Sequence, residues 1–165
     1  MCIRDRNILL LTSEDYVSVG NLRTEGYLEA LKDNDIIPDS DLIIKVKDKK
    51  GSQIEMTYLE DELEKVLKSK KVDAILGVNE IYAGSALKVL KKNKIVVPNE
   101  ISIISFTDGV ISRYSSPSLS TISQHGEIMG ERSAKLLINK LTGKTDASEF
   151  KTEIIKCSLI KRESS

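Results

Sequence analysis

Four short apolar runs, residues 8–11, 42–46, 74–78 and 101–106, recur at a spacing of about 30 residues, the length of a βαβ unit. Between them the apolar positions change to the i, i+3, i+4 spacing of a helix face. That alternation predicts the order βαβαβαβ. Crossovers of this length join parallel strands, and the run 101–106 is continuous enough to be covered on both faces, as parallel strands are.

The punctuation fits the same order. A helix is expected over 18–32, with Val19, Gly26, Tyr27, Ala30 and Leu31 on its apolar side, and Pro38 ends the pattern. After the Lys-rich turn 47–51, Thr57 and Glu60 have the spacing of a capping box, which predicts a helix start at Thr57 and a buried stripe of Leu59, Leu63, Val66 and Leu67. Asn79 is a good N-cap for a third helix bearing Ala83, Ala86, Leu87 and Leu90. A fourth amphipathic stretch, 126–141, carries Gly130, Ala134, Leu137, Ile138 and Leu141.

Composition narrows the function classes. The 165 residues are 40% hydrophobic, enough for one ordinary domain. With 25 basic and 25 acidic residues the net charge is zero, so the chain by itself lacks the positive field that drives nonspecific DNA binding. Its lysine clusters sit beside acidic residues and read as solvated surface. Cys2 and Cys157 lie at opposite ends, which implies neither a disulfide framework nor a metal knuckle and fits a reducing cytoplasm. No apolar run approaches the roughly 20 residues of a membrane span. The opening MCIRDR has no targeting pattern and resembles translated sequencing-adapter sequence, so residues 1–6 are expected to be non-native.

Parallel strands place their carboxyl ends along one edge, outside which ligands of open α/β sheets bind. That edge is expected to carry Ser13, Glu14, Asp15, Asn79, Glu80, Thr107, Asp108 and Gly109. Arg23, in the first turns after strand one, can be a surface cation whose stem covers apolar neighbours. It can also reach the carboxyl edge, where its planar fork suits sugar hydroxyls or a carboxylate. The lone His125 reads as structural. There is no Gly-rich phosphate loop, acid–base constellation or metal-ligand cluster, so neither catalysis nor a cofactor is expected.

The stretch VNEIYAGSALKVLKKNKIVVPNEISIISFTDGVISRYSSPSLSTI, residues 78–122, resembles the effector-binding region of LacI/GalR regulators, and Asn21-Leu-Arg-Thr-Glu-Gly-Tyr27 resembles that family's Arg-x-x-Gly-aromatic helix. The resemblance implies half of a type I periplasmic-binding-protein-like fold, three-layer α/β/α, with a crossover helix and strand at the carboxyl end. Residues 7–122 would form the C-terminal subdomain. Residues 123–149 would be a crossover segment whose helix belongs to an absent N-terminal subdomain, and 150–165 a strand, from Thr152 to Ile160, returning with its tail.

The resemblance also implies a small-molecule effector, a sugar, in the cleft between subdomains, and operator DNA bound only by a helix-turn-helix domain further upstream. It carries effector contacts onto Arg23 and Asn79, with Glu80, Thr107 and Asp108 as further ligand-side candidates. The family has Asp directly after the strand-four aromatic, whereas Thr107 follows Phe106 here and the acid is delayed to Asp108, which leaves open which of the two faces the ligand. The family's cleft aromatic has no clear counterpart in 47–56. The family associates through this subdomain, so Ile81, Tyr82 and Tyr114 are candidates for a homodimer surface, although both tyrosines could instead pack within the subunit. Alternatives are a sugar-binding transporter component of the same fold and an α/β enzyme.

Overall fold

The computed structural model describes residues 6–14, 18–47, 53–144, 146, 148 and 150–165. Most of the adapter-like start, Asp15 of the expected rim and most of the Lys-rich turn lie outside the described residues.

In chain order the elements are β1 (Ile8–Glu14), α1 (Ser18–Asp33), a 3-10 turn (Ser40–Leu42), β2 (Ile43–Lys47), α2 (Gln53–Ser69), β3 (Ala74–Gly77) and α3 (Glu80–Lys92). They continue with β4 (Ser102–Phe106), α4 (Val110–Tyr114), β5 (Ser120–Ser123), α5 (Gly126–Leu141) and β6 (Ser158–Ile160). One six-stranded sheet has the order β2-β1-β3-β4-β5-β6. The first five strands are parallel, and β6 is antiparallel to β5.

This order decides which helix covers which face. The step from β1 to β2 runs outward in one direction, while those from β2 to β3 and from β3 to β4 run in the other. With right-handed crossovers, α1 falls on one face and α2 and α3 on the opposite one. On the α2/α3 face Leu9, Leu11, Ile75, Ile103, Leu59, Leu63, Ala83, Ala86 and Leu90 are buried. The approach is close, since a Cβ on Gly77 would lie 3.1 Å from the Ala83 nitrogen.

On the other face Leu10, Tyr27 and Leu31 are sealed. Beyond them Leu76, Ile104, Phe106 and Ile122 are only half-buried and line an open apolar groove of about 960 Å³ beside α1. The α1 stripe is accordingly narrower than its spacing suggests: Gly26 and Ala30 are exposed and Val19 is 44% exposed, because they border the groove.

Three further expectations change. The α2 helix starts at Gln53, so Thr57 lies inside it and no capping box forms there. Glu60 instead meets Lys88 of α3 at 2.8 Å. The α4 turn was not visible as a helix in the sequence; it follows a short loop and is only five residues long. The carboxyl-terminal strand is three residues, shorter than the expected 152–160, and it joins this sheet rather than standing apart. Behind it, buried Ser164 exchanges backbone hydrogen bonds with Ile103 and Ser118 and donates its hydroxyl to the Ile103 carbonyl at 2.6 Å. The α5 helix spans the expected residues, yet none of its residues is buried.

Tyr27 hydroxyl donates to the Ile8 carbonyl at 2.8 Å, and burial, reinforced by the charge of Asp39, pushes its phenol up to about 12. A raised phenol stabilises the fold fully below its unfolded value near 10, and this contribution fades as pH climbs through the folded value. Tyr27→Phe should cost about 1 kcal/mol at neutral pH and flatten the alkaline loss of stability, as measured by urea unfolding across a pH series.

Candidate functional site

The strands β1, β3 and β4 end along one edge of the sheet, and α1 brings Arg23 to it. Its Nη1 donates to the Val78 carbonyl at 2.8 Å, and its guanidinium carbon lies 4.7 Å from the centroid of the Phe106 ring. The cation is thus held flat between the end of β3 and the end of β4, with its charge facing a π surface, an arrangement favourable for a partly desolvated arginine. Val78 and Phe106 immediately precede Asn79 and Thr107, so three separated segments converge at one rim.

Asn79 caps α3: its extended backbone, φ −151°, lets Oδ1 accept from the Tyr82 N–H at 2.9 Å. Thr107 is exposed and lies in the left-handed region at φ 76°. A β-branched residue there is strained, and such strain costs on the order of 1–3 kcal/mol. The surroundings impose it: the Thr107 N–H donates to the Ile122 carbonyl at 3.2 Å, and the Thr107 carbonyl accepts from the Ser112 hydroxyl at 3.2 Å.

Asp108 turns away into a charged knot. One carboxylate oxygen accepts from Arg162 and, at 3.1 Å, from the Thr121 hydroxyl, while the other accepts from Arg113 at 3.0 Å. Arg162 also donates to the Leu119 carbonyl at 2.7 Å. Burial opposes ionisation of Asp108, but the hydrogen bonds from Arg162, Arg113 and Thr121 outweigh it and hold the carboxyl below the usual range.

Glu80 serves α4. Its Oε2 accepts from the backbone N–H of Ser112 at 3.1 Å and its hydroxyl at 3.0 Å, and a Cβ on Gly109 would lie 2.1 Å from its Oε1. Gly109 is therefore the residue that lets the carboxylate reach the start of α4. Of the three dimer candidates, Tyr82 is 7% exposed and packs within the chain, whereas Ile81 and Tyr114 are 52% and 83% exposed.

Two residues that shape this rim were not singled out in the sequence. Phe106 read only as a strand residue, and the stacking of a cation on it has no local signal. Arg162 lies 54 positions from Asp108, and nothing in the spacing links them. Among the described residues no group of three or more His, Cys, Asp or Glu could hold a metal ion, and no helix is long and apolar enough to cross a membrane.

The signature of the periplasmic binding protein-like domain matches residues 5–165. The chain belongs to this family. Among its curated relatives, the HTH-type transcriptional regulator MalR of Clostridium butyricum is 35% identical over 143 residues, covering 86% of this chain and 40% of the regulator. The HTH-type regulator GalR of Salmonella typhimurium strain LT2 is 30% identical over 156 residues, covering 93% of this chain and 43% of that protein. The chain thus spans less than half the length of these relatives.

Among solved structures, the transcriptional repressor ascG of Escherichia coli superposes with a TM-score of 0.83 at 26% identity, covering 98% of this chain and 56% of its own. A periplasmic binding protein/LacI transcriptional regulator of Alkaliphilus metalliredigens, complexed with D-xylulofuranose, gives 0.78 at 26% identity, covering 98% and 57%. The LacI/GalR resemblance read from residues 21–27 and 78–122 therefore extends along the periplasmic binding protein-like domain as a whole.

Asp108→Asn should destabilise the domain by about 3 kcal/mol, because it leaves the mostly buried Arg162 uncompensated. A depressed carboxyl stabilises the fold above its unfolded pKa, near 4, and that contribution is lost as pH falls through the lower folded value. Urea unfolding at pH 7 and at acidic pH should therefore show a smaller acid-induced loss in the variant than in the parent.

Proposed function

We propose that the chain is the effector-binding half of a sugar-responsive transcriptional regulator acting in the cytoplasm, whose operator contacts belong to a helix-turn-helix segment upstream. The observation that carries this reading is the guanidinium of Arg23, fixed at the carboxyl edge between the Val78 carbonyl and the Phe106 ring. A planar donor held there suits vicinal hydroxyls, which accept two roughly parallel hydrogen bonds. The relatives are named as transcriptional regulators, and one similar structure holds a furanose sugar. Nothing in the rim offers a matched acid and base, so no catalysis is assigned.

Within this reading Thr107, rather than Asp108, faces the effector. Both Asp108 oxygens are engaged by Arg162, Thr121 and Arg113, whereas Thr107 is exposed at the rim in a strained conformation. Asn79 completes the polar set from β3, and Glu80 braces α4 beneath it. A hydroxyl in place of the family's acid makes the rim less negative and favours a neutral sugar. Ile81, Val110 and Tyr114, all exposed, supply an apolar surface for association between regulators, with Tyr82 packed below it.

The test begins with the upstream coding sequence, which should contain a helix-turn-helix segment and a first subdomain; their absence would refute the regulator reading. Calorimetric titration of the full-length regulator with monosaccharides and disaccharides should then identify a binder. Arg23→Met should weaken that binder by about 10- to 100-fold, the range for a hydrogen bond to a charged group. Unchanged affinity would remove Arg23 from the site.

A further inference from the structure

The chain has two unpartnered apolar surfaces, the groove beside α1 and the face of α5. The geometry points to their being partners in trans: a second copy of this chain lays its α5 in the groove, and receives the first copy's α5 in return.

The groove has the width of one helix. Its floor is made by β3, β4 and β5, three strands about 4.8 Å apart, and a helix with its side chains is about 10 Å across. The floor residues Leu76, Ile104, Phe106 and Ile122 are half-buried, while their neighbours on the opposite face, Ile75 and Ile103, are sealed. The deficit therefore comes from missing cover on one side only.

The α5 helix carries matching cover. Gly130 and Ala134 begin its stripe, and Leu137, Ile138 and Leu141 continue it at 60%, 54% and 77% exposure. The α1 wall of the groove presents Gly26 and Ala30 at the same four-residue spacing, and a Cβ on either Gly26 or Gly130 would meet nothing within 4 Å. Two ridges of small residues let helix axes approach toward the lower end of the 8–10 Å range. The three large residues are then left to fill the space over the sheet.

The chain's own α5 is held away from its own groove. The pairing of β5 with β6 runs up to Ser123 and Ser158, and His125, left-handed at φ 53°, bonds Ser158 Oγ through Nε2 at 2.9 Å. These contacts fix the root of α5 at the carboxyl edge, and no element packs extensively on the helix. A copy that grips this helix must lie beyond the same edge. Reciprocal exchange then closes a two-fold pair in which the rims bearing Arg23 and Thr107 face each other. This association uses neither Ile81 nor Tyr114, and it does not depend on the ligand being a sugar.

The experiment is sedimentation of the purified chain from low to high micromolar concentration, with hydrogen exchange in parallel. A dimer is expected, and protection of α5 and β4 should rise together with concentration. Leu137→Asp, which changes a solvent-facing residue of the single chain, should weaken association by about 30-fold or more, because it places a carboxylate in an apolar groove. In a background carrying Cys2→Ser and Cys157→Ser, a mixture of Ala30→Cys chains and Ala134→Cys chains should form a mixed disulfide. The proposal is overturned by a monomer at every concentration, by α5 protection that does not depend on concentration, or by a dimer lost in Tyr114→Asp but intact in Leu137→Asp.

Discussion

The ion pair between Asp108 and Arg162 is the contact on which the carboxyl-side architecture depends. Asp108 stands in the loop after β4, Thr121 in β5, Arg113 in α4 and Arg162 in the terminal segment, and one carboxylate joins all four. The pair is mostly shielded, with side-chain exposures of 18% and 12%, so each charge relies on the other to offset its lost hydration. Breaking it would free β6, the only strand that runs against the others. It would also remove the anchor beside Thr107, whose backbone is held in a conformation it would not choose alone.

That arrangement separates two jobs that adjacent residues could have shared. Asp108 is committed to holding segments together, and Thr107 projects at the rim. The same division recurs after β3, where Asn79 caps its helix through Oδ1 and Glu80 anchors α4. Arg23 is fixed from two directions, by a carbonyl and by an aromatic face. The rim is therefore built from groups whose positions are set before any ligand arrives, which lowers the ordering cost of binding.

Much of this fold was legible in the sequence because its signals are local. The apolar runs placed β1 to β4, the Asn79 cap placed α3, and the periodicity of 126–141 placed α5. Thr57 and Glu60 misled because a capping box is only a spacing. The helix that contains them begins upstream at Gln53, so the hydroxyl sits where no terminal N–H awaits it. The convergence of Arg23, Asn79 and Thr107 followed from topology, since parallel strands share an edge. The stacking on Phe106 and the bond from Arg162 depend on residues distant in sequence, and neither leaves a periodic trace. Exposure of Gly26 and Ala30 was equally hidden: their spacing marks a face that can be covered, and only the strand order shows that this chain leaves it bare.

Thr107 sets durability against recognition. Glycine at this position would accept the left-handed backbone without a Cβ penalty and should make the domain sturdier, yet it would strip the rim of a hydroxyl and a methyl. Stabilising drift at this residue would therefore erode selectivity, and a protein of this kind must tolerate a locally uncomfortable peptide to keep its edge informative.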